Sequence, residues 1–128
     1  MRYCKHTIVL VLAFIVIASG MSAQSLDHLH QYNSTRGLSN NSVNDIYLDS
    51  RGFIWIATND GLNRFDGYEF LVMRPDIYDS LSIASGIVYA IAEDELGDLW
   101  LATEKGISQY IILENVFVNH AFYPYKPG

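Results

Sequence analysis

Side chains placed for chemistry are few in this 128-residue sequence, and they fall into three groups. Asp27-His-Leu-His30 sets His28 and His30 on one side of an extended strand, the start of a metal site. Beyond the first six residues the remaining histidine is His120, and no ligand-rich loop accompanies it. Trp55 and Trp100 form the second group, with ring faces suited either to stacking on a sugar or to packing in a core. Asp49 and Asp94 form the third; their carboxylates suit a calcium ion or the capping of a turn by an Asx-type hydrogen bond. Gly-x-Ser-x-Gly, a phosphate loop and a paired-carboxylate signature are all missing, so the sequence reads as non-enzymatic, with no catalytic residue, metal or cofactor.

Spacing decides between the remaining alternatives. The stretch from Val43 to Phe65 repeats from Val88 to Tyr110 without a gap at an offset of 45 residues, with eight of 23 positions identical. The identities include Asp49/Asp94, Gly52/Gly97, Trp55/Trp100, Ala57/Ala102, Thr58/Thr103 and Gly61/Gly106, and Phe65 faces Tyr110. A position that recurs in every repeat is a packing position rather than a ligand contact. Gly52, Trp55, Thr58, Gly61, Gly97, Trp100, Thr103 and Gly106 are therefore read as structural, with both tryptophans wedged between repeats and both aspartates capping turns. Ligand-binding residues stay unknown.

The elements that must position these residues are short strands. Residues 43–48, 53–58, 62–65 and 68–73 read as four strands in the first copy, the last two joined by an Asp66-Gly67 hairpin. Residues 87–92, 98–103, 107–112 and 116–122 repeat them, without an Asp-Gly turn in the last hairpin. Continuous apolar runs such as Phe53-Ile-Trp-Ile-Ala57 and Leu99-Trp-Leu-Ala102 imply strands covered on both faces. Repeats of about 45 residues whose strands are sandwiched between neighbours indicate propeller blades. The expected fold is all-β: about two four-stranded antiparallel blades of an incomplete β-propeller after a signal peptide. The divisions are 1–23 leader, 24–42 strand and loop, 43–86 first blade, 87–123 second blade and 124–128 truncated linker. Residues 26–32 are expected to be a strand outside the first blade's own four.

Arg2 and Lys5, an uncharged run from Ile8 to Ala18, and Ser19-Gly20-Met21-Ser22-Ala23 have the layout of an export signal cleaved after Ala23. Its apolar stretch is shorter than the roughly 20 residues that span a bilayer, so no membrane contact is expected once it is removed. Cleavage leaves six basic and 14 acidic residues, a charge of −8 that disfavours nucleic acid and anionic lipid as partners. Cys4, the sole cysteine, departs with the leader.

Gly37-Leu-Ser-Asn-Asn-Ser-Val43, then Asp49-Ser-Arg-Gly-Phe-Ile-Trp-Ile-Ala-Thr58 and Asp60-Gly-Leu-Asn-Arg-Phe-Asp-Gly67 together resemble the opening blade of the two-component regulator propellers. Those propellers form the periplasmic end of hybrid sensor histidine kinases of Bacteroidetes. The resemblance extends from Leu26 to about Tyr110. It implies a periplasmic sensor of oligosaccharides whose kinase lies in further domains, with the remaining blades of the same receptor as partners and a homodimeric assembly. By its length the chain reads as an amino-terminal fragment of such a receptor, with a protein-interaction scaffold or a non-functional truncated product as the alternatives and a propeller lyase or hydrolase fragment disfavoured. Sialidase-type Asp boxes, Ser-x-Asp-x-Gly-x-x-Trp, differ: here the aspartate stands one residue further from the glycine.

Overall fold

The structure, a computed structural model, describes residues 30–120. The leader and its cleavage site, His28, residues 26–29 of the expected first strand, residues 121–122 and the 124–128 linker lie outside the described residues. Residues 32–120 belong to one compact unit, built of eight described strands. β1 (Val43–Leu48), β2 (Ile54–Thr58), β3 (Gly61–Phe65) and β4 (Phe70–Met73) pair in sequential antiparallel order. β5 (Val88–Glu93), β6 (Leu99–Thr103), β7 (Gly106–Ile111) and β8 (Val116–His120) do the same. These are the two four-stranded blades, and the 45-residue offset holds in the register: Trp55 lies opposite Tyr47 and Arg64, as Trp100 lies opposite Ala92 and Gln109.

Two local expectations are corrected. Residues 30–32 carry no strand; they lead into a short 3-10 turn, Ser34–Arg36, whose first free amide, that of Thr35, donates to the Asn33 side chain. Tyr32 lays its ring on Phe65 and Phe70, with centroids 4.8 and 5.6 Å apart. Nor does Asp66-Gly67 make a two-residue hairpin. Phe65 pairs with Phe70, so four residues form the loop, because Asp66 Oδ1 accepts the amides of both Tyr68 and Glu69 and folds the chain into an Asx turn first. The tight two-residue loops lie one hairpin earlier, at Asn59-Asp60 and Glu104-Lys105, where Gly61 and Gly106 open β3 and β7 rather than sitting in the turn.

Gly61 is required there on two counts: its φ is +105°, and a Cβ would stand 2.6 Å from the Met73 carbonyl oxygen. Gly52 also has a left-handed φ, +91°, but open space around it. In denaturant titrations Gly61→Ala is therefore expected to cost about 2 kcal/mol or more, and Gly52→Ala about 1 kcal/mol. Equal losses would show that the close approach of β3 to the end of β4 relaxes without penalty.

Alternation along the strands gives each blade two faces. The front face of the first blade carries Tyr47, Trp55, Ala57 and Leu62, and the rear carries Ile46, Leu48, Ile54 and Ile56. The front packs on the rear of the second blade, so Trp55, Ala57 and Leu62 share one core with Val88, Leu99, Leu101 and Tyr110. Trp55 and Tyr110 meet edge to face with centroids 5.5 Å apart. The rule that both faces are covered thus holds for β2, buried from Trp55 through Thr58, but fails for β6. There Leu99 and Leu101 are buried while Trp100 is 37% exposed, because the front face of the second blade has no sheet against it among the described residues. Among the described residues Trp100 therefore lies open on the front of the second blade.

The repeat also begins earlier than the first strand. Ser39 N donates to Asn63 Oδ1 (2.9 Å) as Ala84 N donates to Ser108 Oγ (3.1 Å), and Ser42 O accepts from Asn59 as Ile87 O accepts from Glu104. Buried Leu38 and Ile83 occupy equivalent places. Each blade therefore includes an entering segment that hydrogen-bonds across its own sheet.

Candidate functional site

Asp49 follows β1 and begins the turn to β2. Its Oδ1 accepts the amides of Arg51 and Phe53, both at 2.9 Å, and its Oδ2 accepts the Trp55 indole N–H at 2.8 Å. Asp94 repeats this with Leu96 (2.9 Å), Asp98 (3.0 Å) and Trp100 (2.9 Å). The six-residue spacing of aspartate and tryptophan is thus a clamp: one carboxylate closes the turn and fixes the indole that starts the next strand. Turn capping was legible in the sequence. The indole bond was not drawn from it, although the same spacing in both copies signalled it.

These bonds also settle the ionisation. Burial of the Asp49 carboxyl is the largest single influence and raises its pKa, but the Trp55 indole, the Phe53 and Arg51 amides and the Arg51 charge at 3.3 Å together outweigh it and hold the group below the usual aspartate range. Asp94 is lowered first by the Trp100 indole N–H, against burial, with further help from backbone amides. Both carboxylates use their oxygens on protein donors, and among the described residues no three His, Cys, Asp or Glu side chains converge as a metal would require.

Thr58 and Thr103 complete the motif. The Thr58 hydroxyl donates to Gly61 O (2.9 Å) and accepts from Asp60 N (3.0 Å), and Thr103 does so with Gly106 O (2.7 Å) and Lys105 N (3.2 Å). A buried hydroxyl thereby closes each two-residue loop from inside. Arg64 lies over the rings of Phe53 (4.8 Å) and Trp55 (5.9 Å), a cation–π contact beside the interblade core.

Between the blades runs a polar seam that sequence reasoning missed. Asn44 Nδ2 donates to Val88 O (2.8 Å), Ile91 N donates to Asp45 Oδ2 (2.9 Å), and Glu93 accepts from Ser50 N (3.0 Å) and Tyr47 Oη (3.2 Å). No repeat signal marks these residues, since the counterparts of Asp45, Tyr47 and Glu93 are Ala90, Ala92 and Leu48.

On the far side, the front of the second blade forms an open apolar depression of about 400 Å³ lined by Ala90, Ala92, Trp100, Ala102, Ile107 and His120. His120 stacks on Trp100, with centroids 5.6 Å apart and planes 17° apart. Trp55 is out of reach of any ligand. Trp100 is accessible, in a lining that is mostly apolar.

The family described as "Two component regulator propeller" matches residues 37–60 and 82–105, each match starting at the entering segment of a blade. The chain is 39% identical over 75 residues to histidine kinase P4 of Formosa agariphila, a stretch that is 58% of this chain and 6% of that protein. Among solved structures, the extracellular domain of a protein assigned to a hybrid two-component system of B. thetaiotaomicron superposes with a TM-score of 0.68 at 30% identity, over 74% of this chain and 14% of that one. An extracellular domain assigned to a one-component system of the same organism gives 0.59 at 21% identity, over 75% and 13%, and shares the fold.

Proposed function

We propose, since the chain is built of two-component regulator propeller blades, that it serves as part of the extracytoplasmic ligand-sensing propeller of a hybrid two-component sensor. The observation that supports this most is the pairing of two complete Asp–Trp and Thr–Gly blades at a constant offset with a 30% identical extracellular domain of that kind. In this proposal residues 1–23 direct export and are cleaved after Ala23, the ligand is an oligosaccharide, and the kinase and the remaining blades lie in the rest of a receptor. The chain itself positions ligand-binding loops and carries out no covalent chemistry.

The blade motif residues contribute packing rather than ligand contacts. In titrations with a panel of oligosaccharides, this chain is expected to give no saturable signal, whereas a receptor carrying these blades within its whole propeller is expected to bind and to change its phosphorylation. Micromolar binding by the chain alone would place the ligand site within two blades. A whole receptor indifferent to every oligosaccharide would remove the carbohydrate assignment while leaving the sensor fold untouched.

A further inference from the structure

We infer that the first blade carries a subsite for one neutral sugar ring, in a cleft formed by β3, β4 and the loop between them. The assignment deepens the ligand-sensing reading and rests on it for its role, while the binding itself is argued from the cleft. That cleft has a volume of about 260 Å³ and is lined by Arg64, Asp66, Glu69, Phe70 and Leu71. All five belong to a single hairpin, with Asp66 and Glu69 at the two ends of its four-residue loop.

The polar groups that line the cleft are not engaged elsewhere among the described residues. The Arg64 guanidinium rests over Phe53 and Trp55 at 4.8 and 5.9 Å, and there it makes neither a hydrogen bond nor an ion pair. The two rings hold the side chain, and its five N–H donors stay available. Asp66 uses Oδ1 on the amides of Tyr68 and Glu69 and keeps Oδ2, and the Glu69 carboxylate accepts no described donor. In the second blade Gln109 stands for Arg64, and its side chain is taken up by Asp98 (3.4 Å) and His120 (3.5 Å). Ile111 stands there for Asp66. The blade fold therefore does not call for these charges, which distinguishes them from the recurring packing positions.

Fixed donors beside fixed acceptors select the ligand. A guanidinium only donates and a carboxylate only accepts, so both are satisfied by a group that accepts and donates at neighbouring atoms. Adjacent ring hydroxyls do this: their oxygens accept from Arg64, and their O–H groups donate to Glu69 and to Asp66 Oδ2. One cation with two carboxylates leaves the cleft net negative, so a uronate or sulfated ring meets like charge and a neutral ring does not. Leu71, 45% exposed, offers an apolar wall to the C–H face of the ring. A contact with one ring holds at about millimolar strength, which micromolar titrations do not register.

The test is NMR of the chain with the methyl glycosides of glucose, galactose and mannose at millimolar concentration, and with methyl glucuronide as the acidic counterpart. At least one neutral glycoside is expected to receive saturation transfer and to shift the amides of residues 64–71, and the glucuronide to bind about tenfold more weakly or less. Arg64→Gln, the exchange that the second blade makes at Gln109, and Glu69→Ala are each expected to weaken the neutral glycoside about tenfold. Glu69 is exposed, so Glu69→Ala decides if Arg64→Gln does not fold. Glu69→Gln is expected to narrow the gap between neutral and acidic rings. The proposal is overturned by no transfer to any neutral glycoside, by a preference for the glucuronide, by shifts confined to other residues, or by unchanged binding in Glu69→Ala. These readouts are separate from signalling: a whole receptor indifferent to oligosaccharides would leave the glycoside shifts in place, and absent shifts would leave the receptor's response intact.

Discussion

Trp55→Ala is expected to lower the unfolding free energy by about 4 kcal/mol, and Trp100→Ala by about 1 kcal/mol, in dilute solution. The two residues share a repeat position and the same aspartate bond, so the difference isolates the interblade contact. Trp55 is fully buried against Tyr110, and its removal leaves a cavity between two sheets that cannot collapse without separating the blades. Trp100→Ala gives up the stacking on His120 and the bond to Asp94 but opens no cavity between sheets, and water fills the space. Urea midpoints of the two variants measure the contrast. Equal losses at high dilution would mean that the front face of the second blade is covered within the single chain.

Asp49→Ala is expected to cost about 3 kcal/mol, because it strips the acceptor from two backbone amides and a fully buried indole N–H at once. Asp49→Asn keeps its one oxygen for the amides but turns its NH2 donor toward the indole N–H, and should fall between. The acid limb of the stability curve follows from the same bonds. Asp49 and Asp94 both titrate below the free aspartate value of about 3.9, so their stabilisation is fully present above that pH and is lost as the pH falls through their lower folded values. Thermal midpoints of the parent chain should therefore drop steeply below about pH 4, and Asp49→Asn should flatten that drop. An unaltered acid limb in the variant would show that other carboxylates govern it.

Much of the blade was legible because its determinants are local. The Gly52 and Gly97 turns, the strands that follow them and the two-residue loops before Gly61 and Gly106 depend on residues within a few positions of each other. The Asp66-Gly67 loop was misjudged for a local reason too: the same dipeptide serves a tight hairpin or an Asx turn, and the Asp66 carboxylate accepting two amides selected the second. Asn115, the one described non-glycine residue with a left-handed φ, closes the last hairpin without glycine, and its side chain accepts the Tyr110 hydroxyl.

The candidate site divides along the same line. Identical spacing marked Asp49, Trp55 and Thr58 with their counterparts as one unit, although the indole–carboxylate bond became visible only when the turn was built. The seam formed by Asn44, Asp45, Tyr47, Ser50 and Glu93 carried no pattern in the sequence, because its partners are separated by 43 to 46 residues and lie in different sheets.

By itself, then, the sequence determined that this chain is made of two equivalent blades, where most of their strands fall and which residues define the repeat. Those features follow from side-chain alternation, turn chemistry and a period that any segment carries with it. Which neighbour covers each face was decided only in three dimensions. Trp55 and Trp100 occupy one repeat position, in the nearly identical surroundings Ile-Trp-Ile-Ala-Thr and Leu-Trp-Leu-Ala-Thr, yet one is sealed between sheets and the other is open. Burial is a property of the surface laid against a face, and that surface is supplied by strands distant in the chain or by another molecule.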